Sequence, residues 1–309
     1  MLGAGAVGGY FGGRLAQAGA DVTFLVRPAR AELMAREGLR VKSKSGDFAQ
    51  PVQLVTQDTL KPGYDLVIFT AKAYDLASAM AAVGPVVEGG GTLLPLLNGM
   101  SHLKVLDERF GRERVLGGVA YIASTLMPDG TIVHLGDFHK MAFGPRAGQS
   151  TGLDLCKGLR AAFAKTPVDA ILSDSIEQAM WDKWVFLASA AGMTCLMRAA
   201  VGDIVTADAG ERLMLQMLSE CASVAHAEGF ALGEESLAGH RQNLTRRGST
   251  STASMMRDTE SGGQTEADHI LGALLALAKK HALATPLLEI AYAHMQAYAA
   301  RRKRESSAP

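Results

Sequence analysis

The sequence predicts a two-domain protein: an α/β domain with a doubly wound, mostly parallel sheet over residues 1–172, then an all-α domain over residues 173–309. Three observations predict it. A glycine-rich turn opens the chain, short apolar runs alternate with helical patterns as far as about residue 145, and only long helical periodicities follow Ser173.

The first element is "GAGAVGGYFGGRLAQAG", in which Gly3, Gly5 and Gly8 have the spacing of a tight strand-to-helix turn. Lacking Cβ atoms, such a turn lets backbone N–H groups and a helix N-terminus approach a pyrophosphate. An amphipathic helix through Leu15 and the strand "DVTFLV" complete a β-α-β unit. A glycine turn without ligand is the plainer alternative. Only Met1 and Leu2 precede the turn, whereas an internal parallel strand needs about 5 residues. The expectation is a natural start further upstream.

The second strand ends Leu25-Val26-Arg27. A carboxylate here would bond a ribose 2′-hydroxyl, whereas a guanidinium binds a 2′-phosphate bidentately and stacks on adenine. Arg27 therefore predicts NADP(H) rather than NAD, with Arg30 as a second candidate contact. An exposed arginine beside a proline turn is the alternative.

Further strands are expected at "DLVIFTAK", "TLLPLLN", "RVLGGVAYIAS" and "TIVHLG". Strands alternating with helices imply right-handed crossovers and a sheet covered on both faces. Beyond "GPRAG" the helical runs are "SIEQAMWDKWVFLASAAG", "GERLMLQMLSECASVAHAEGF", "ADHILGALLALAKKHAL" and "LLEIAYAHMQAYAARRKR". Between them lies "RQNLTRRGSTSTASMMRDTESGGQTEAD", a polar stretch expected to be a functional loop.

Composition narrows the function classes. With 48% hydrophobic and 20% charged residues and zero net charge, the chain has no electrostatic footprint of a nucleic-acid binder. Cys156, Cys195 and Cys221 are distant and odd in number, so no disulfide framework or zinc site is expected. His134 and His139 lack helical metal-ligand spacing, and no metal is expected. No run approaches the ~20 apolar residues of a membrane span, and the first residues lack the order of a signal peptide. A cytoplasmic protein is expected, with "RRKRESSAP" a solvated helix end. No P-loop and no nucleophile elbow occur.

In "WDKWVFLASAAGMTC", Lys183, Leu187 and Ala191 are spaced i, i+4 and i+8, along one helix face. A lysine among apolar neighbours has a lowered pKa and can act as a general acid. On spacing alone, a lysine snorkelling out of an apolar face is the commoner case.

"GAGAVGGYFGGRLAQAG", "LVRP", "TAKAYD", "LLNG", "WDKW" and "SMMRDTESGGQTEAD" stand in the order and spacing of the ketopantoate reductase family (2-dehydropantoate 2-reductases), which the chain resembles over essentially its whole length. The resemblance implies an N-terminal NADPH-binding Rossmann domain joined to a helical C-terminal domain, with hydride transfer to a 2-oxo acid. It implies that Gly3, Gly5, Ala6, Val7 and Gly8 hold the pyrophosphate and Arg27 the 2′-phosphate. Lys72 and Asn98 match residues near cofactor and substrate, and Ser254 matches a contact to the substrate carboxylate. Lys183 matches the proton donor. Glu266 matches the acid that binds the substrate hydroxyl and orients that lysine. Taken alone, Asn98 would be an Asn-Gly turn and Glu266 a first-turn helix acid.

The chain departs from the family at three places. Leu187, Ala191 and Ser251 stand where members that reduce ketopantoate usually carry asparagine. The implied pocket is more apolar, suited to another 2-oxo acid or a bulkier ketone, unless Arg246 or Arg247 captures a carboxylate. The expected partner is a small 2-oxo acid, with a homodimer as the candidate assembly. A dinucleotide-binding sensor without turnover is the rival reading.

Overall fold

The computed structural model describes residues 1–306, and every structural statement concerns these. The chain divides into two units: Met1–Leu97 with His102–Ala179, and Asn98–Ser101 with the chain from Met180 onward.

In the first unit the glycine turn leads into α1 (Ala6–Gln17), followed by β1 (Thr23–Leu25), α2 (Pro28–Glu37), β2 (Leu39–Lys42), β3 (Phe48–Gln50), β4 (Gln53–Val55), β5 (Leu66–Phe69), α3 (Leu76–Glu88), β6 (Thr92–Pro95) and α4 (Ser101–Phe110). It closes with β7 (Gly117–Leu126), β8 (Ile132–Gly144), α5 (Leu153–Phe163) and β9 (Asp169–Leu172). Leu2 acts as a one-residue strand that bridges Leu25 on one side and Phe69 on the other, both in parallel. Its N–H donates to Ile68 at 2.9 Å, and the Gly3 N–H donates to Leu25 at 2.9 Å. The resulting order is β4, β1, Leu2, β5, β6, all parallel. Val67, Ile68, Phe69, Leu93 and Leu94 are buried, as strands covered on both faces require.

The remaining strands form a second sheet in the order β3-β2-β8-β7, with β9 also on β8. Here β2 and β9 pair with β8 in parallel, whereas β7 and β8 form an antiparallel hairpin. Its turn is set locally: the Asp129 carboxylate accepts from the Thr131 N–H and hydroxyl at 2.9 Å each, and Gly130 takes a positive φ of 84°. β2, β3, β4 and β9 were not expected from the sequence. Each has only three or four residues, too few to display a period.

The second unit is helical, as the sequence predicts. It comprises α6 (Ile176–Met197), which enters it at Met180, then α7 (Val201–Thr206), α8 (Gly210–Ala227), α9 (Glu234–Leu244) and α10 (Ser254–Glu260). A π-turn (Asp268–Gly272) then runs into α11 (Ala273–Lys280), and α12 spans Pro286–Ser306. The polar stretch after Leu244 is not the continuous loop expected. Met255 and Thr259 are buried, and their spacing forms α10, where the Thr259 hydroxyl donates to the Met255 carbonyl at 2.8 Å. The segment also closes on α7, with Val201 and Gly202 N–H groups donating to Ser251 and Ser249.

Trp184, Val185, Ala188, Met193, Met214, Met217, Leu274 and Leu288 share one core, each large side chain contributing about 1.5–3 kcal/mol of burial. Buried Glu220 caps α12, accepting from the Leu287 and Leu288 N–H groups at 3.0 and 2.9 Å. These contacts offset the orphan donors of a helix start. Cys156, Cys195 and Cys221 are free and buried. No helix among the described residues is long and apolar enough to cross a membrane.

Candidate active site

Two clusters of predicted residues form, one in each unit. In the first, Gly5 caps α1 and Gly3 adopts a positive φ of 88°. A Cβ on Gly8 would run into the Gly3 carbonyl and the Thr70 hydroxyl, so the helix can start against the strand only with glycine there. At Gly5 a Cβ would meet no protein atom, which leaves open space in front of the helix N-terminus. Ala6 and Val7, in the first turn, are half-buried. Protein packing explains Gly8, while the room at Gly5 fits a pyrophosphate approaching the α1 N–H groups.

Arg27 sits at the end of β1 as the N-cap of α2, with its side chain 77% exposed and its guanidinium 3.0 Å from the Asp75 carboxylate. Arg30 does not share that setting. Its guanidinium donates to the Ala4 and Gly130 carbonyls at 3.1 and 3.0 Å, so it braces the glycine turn against the β7–β8 hairpin and is not offered as a phosphate contact. Lys72 is half-buried two residues past Thr70, at the cap of the single turn Ala73–Asp75. The Thr70 hydroxyl donates to Leu2 at 2.6 Å. The glycine turn, Arg27 and Lys72 thus lie at the carboxyl ends of neighbouring parallel strands, where open α/β sheets bind ligands.

The second cluster brings together Asn98, Lys183 and Glu266. Lys183, half-buried on α6, donates from Nζ to Asn98 Oδ1 at 2.9 Å. Burial pushes the amine down to about 8, and the buried Glu266 carboxylate acts against that by favouring the ammonium. The flanking residues of "WDKW" are structural. Trp184 donates its indole N–H to the Ile270 carbonyl at 3.0 Å, while Trp181 stacks on Phe230. Asp182 accepts from the Ser236 hydroxyl at 2.9 Å.

Ser254 is half-buried at the first position of α10. Leu187 is half-buried, whereas Ala191 is 0% exposed within the core. Ser251 is exposed and spends its carbonyl on the start of α7. Arg246 is exposed, and Arg247 faces Glu211 at 3.7 Å on the surface. No group of metal ligands occurs among the described residues. His134 and His139 stack on each other, and the Tyr10 hydroxyl bonds His139 Nδ1 at 2.6 Å.

One residue of this neighbourhood carried no sequence signal, and a second was legible only as part of a turn. His269, in the π-turn, meets the Ser101 hydroxyl through Nδ1 at 2.7 Å and makes a backbone hydrogen bond to Asn98. Gly99 has a positive φ of 74°, and a Cβ on it would lie 3.0 Å from the His269 carbonyl. The Asn-Gly pair was legible as a turn; its partner 170 residues later was not.

A Rossmann-type sheet with a glycine cradle at its carboxyl edge, in a chain that continues into a helical unit holding Lys183, has the architecture of a dinucleotide-binding oxidoreductase. The chain belongs to the ketopantoate reductase family: residues 1–148 match the family described as ketopantoate reductase PanE/ApbA, and residues 175–299 match its C-terminal part. It is 37% identical over 306 residues to the uncharacterized oxidoreductase YkpB of Bacillus subtilis (strain 168), covering 98% of this chain and 99% of that one. The 2-dehydropantoate 2-reductase of Geobacter metallireducens GS-15 has a similar structure, with a TM-score of 0.86 and 29% identity over 96% of this chain and 97% of that one. D-mandelate dehydrogenase, solved with NADH and anilino(oxo)acetate, shares the fold at a TM-score of 0.87 and 21% identity, over 98% and 99% of the two chains.

Proposed function

We propose that the chain reduces a 2-oxo acid with NADPH, with Lys183 as proton donor and 2-dehydropantoate as the first substrate to test. The observation that supports this best is the Lys183 amine held on Asn98 Oδ1 near buried Glu266, in an otherwise apolar stretch of α6. A bound nicotinamide supplies the hydride. Hydride arrival at the carbonyl carbon builds negative charge on oxygen, which the Lys183 ammonium stabilises and then protonates, giving a 2-hydroxy acid. With its pKa near 8, the amine is about 90% protonated at pH 7 yet releases its proton readily. Asn98 accepts from the ammonium and holds it at one place, while Glu266 supplies the counter-charge. Ser254 is assigned to the substrate carboxylate, Lys72 to substrate and cofactor, and Asn98 also to the nicotinamide side of the site. Arg27 exchanges Asp75 for the 2′-phosphate.

A second reading, a more apolar 2-oxo acid or ketone, is favoured by half-buried Leu187 at a position where the family usually has asparagine. Ala191, enclosed in the core, offers no surface to a substrate. An apolar side chain at position 187 gives no penalty to a substrate lacking a hydroxyl. NADPH oxidation by purified protein against 2-dehydropantoate and a panel of 2-oxo acids and ketones separates the two readings. Equal inertness of every 2-oxo acid and ketone would overturn both. In the same reading the protein works in the cytoplasm as a homodimer, which sedimentation at micromolar concentration checks.

A further inference from the structure

The Lys183 contact depends on where Asn98 is held, and Asn98 belongs to a turn. Residues Asn98–Ser101 form a short segment whose conformation requires Gly99 at a positive φ of 74°. Met100 packs against the helical core, and one ring adds a tie at each end of the turn. His269 Nδ1 lies 2.7 Å from the Ser101 Oγ, and the ring also makes a hydrogen bond to the Asn98 backbone. A single neutral tautomer satisfies both, with Nδ1 accepting from the Ser101 hydroxyl and the other nitrogen donating to the Asn98 carbonyl. Burial favours the neutral ring by pushing its pKa below the ordinary histidine value, against the opposing pull of the Glu266 carboxylate and the Asn98 backbone. Gly99 allows the close approach, because its missing Cβ would sit 3.2 Å from the imidazole Cδ2.

The ring is itself aimed by an irregular helix. Residues Asp268–Gly272 form a π-turn, a form whose poorer backbone pairing persists only where other contacts support it. Three contacts do so. Trp184 donates to the Ile270 carbonyl at 3.0 Å, the Tyr292 hydroxyl donates to Asp268 Oδ1 at 2.9 Å, and the Tyr292 ring fills the place of a Cβ on Gly272. Trp184 adjoins Lys183 on α6, so the helix that carries the amine also anchors the turn that carries the imidazole. Glu266 lies three residues before His269, and its carbonyl accepts from the His269 N–H at 3.1 Å.

We propose that His269 is a positioning residue: its ring clamps the Asn98–Ser101 turn from both ends and thereby fixes Asn98 Oδ1 against the Lys183 ammonium. The proposal rests on the reductase reading for its kinetic consequence, but its structural half can be read without turnover. The test compares wild type, His269→Leu, His269→Gln and Ser101→Ala, using hydrogen exchange of peptides covering residues 98–101, Tm, and 2-oxo acid reduction. Glutamine can accept from Ser101 and donate to Asn98, and Ser101→Ala removes one tie without touching the π-turn.

The expected result for His269→Leu is exchange about tenfold faster at residues 98–101 with protection elsewhere unchanged. Its kcat should fall about 10- to 100-fold at nearly constant KM, as for a small displacement of a catalytic group. His269→Gln should recover most of both, and Ser101→Ala should show a smaller loss that does not add to that of His269→Leu. Unchanged exchange at 98–101, or faster exchange throughout the helical unit with a matching fall in Tm, would overturn the proposal. Faster local exchange in a protein whose wild type reduces no 2-oxo acid would instead overturn the reductase reading and leave the clamp standing.

Discussion

Lys183 and Asn98, 85 residues apart in sequence, meet at 2.9 Å between Nζ and Oδ1. The contact joins a helix interior to a glycine-containing turn, and it places the amine in surroundings that disfavour its charge. Retaining a cation there opposes stability, as active-site groups often do. Lys183→Met is therefore expected to cut turnover by about 100-fold or more and to raise Tm by about 2–4 °C at pH 7. NADPH affinity should be unchanged. The sign follows from linkage: the folded pKa of about 8 lies below the ordinary lysine value of 10.5. The penalty is therefore complete below pH 8 and fades as pH rises towards 10.5. Calorimetry beside steady-state kinetics reads both effects, and a fall in Tm would contradict the account.

As the proposed proton donor, Lys183 must carry its proton, so kcat for reduction should be level below pH 8 and decline about tenfold per unit above it. Oxidation of the 2-hydroxy acid should show the opposite slope. Glu266→Gln removes the charge that favours the ammonium, and the reductive limb should then break at a lower pH. A break that stays in place in this variant would remove Glu266 from the electrostatics of the site.

Arg27 faces solvent beside Asp75, and exposed pairs of this kind contribute little. Arg27→Ala should weaken NADPH by about tenfold or more, the scale of a lost charge-assisted contact, while leaving NADH almost unaltered. Asp75→Asn should tighten NADPH by removing a competing and repelling carboxylate. Fluorescence titration with both nucleotides measures the difference. Equal weakening of the two would refute the 2′-phosphate contact.

The family's asparagine positions divide into two cases that single substitutions distinguish. Half-buried Leu187 can accept a polar side chain, so Leu187→Asn is expected to fold and to raise kcat/KM for 2-dehydropantoate relative to apolar 2-oxo acids. Ala191 is fully enclosed. Ala191→Asn should destabilise by about 1–3 kcal/mol through an unpaired buried amide, visible as a lower denaturation midpoint. An Ala191→Asn variant of undiminished stability would mean that position 191 opens onto polar space.

The parts legible in the sequence were those written in local pattern. The glycine turn, the buried runs at Leu66–Phe69 and Thr92–Pro95 and the long helices each carry a period or a turn signal that needs no distant partner. β2, β3, β4 and β9 were too short to show one, and α10 was hidden because its polar exterior outweighs two buried positions, Met255 and Thr259. Within the site, Lys183 was singled out as the charge in an apolar stretch, but its contact with Asn98 depends on tertiary closure. His269 was invisible for the same reason: nothing near it in sequence announces Ser101. Arg30 shows the reverse error, since a cation close to Arg27 in sequence is committed to two carbonyls of the fold.

The placement of Arg27 has an evolutionary consequence. Its guanidinium touches one surface carboxylate and lies outside the core, so exchanging it perturbs neither folding nor the remainder of the catalytic apparatus. On the proposed 2′-phosphate role of Arg27, coenzyme preference is a trait that relatives of this chain can revise in one or two mutations. Lys183 has no such freedom, because the Asn98 turn meets its amine and the π-turn is anchored by the next residue of α6. Among relatives, the nucleotide consumed should therefore vary sooner than the group proposed to deliver the proton.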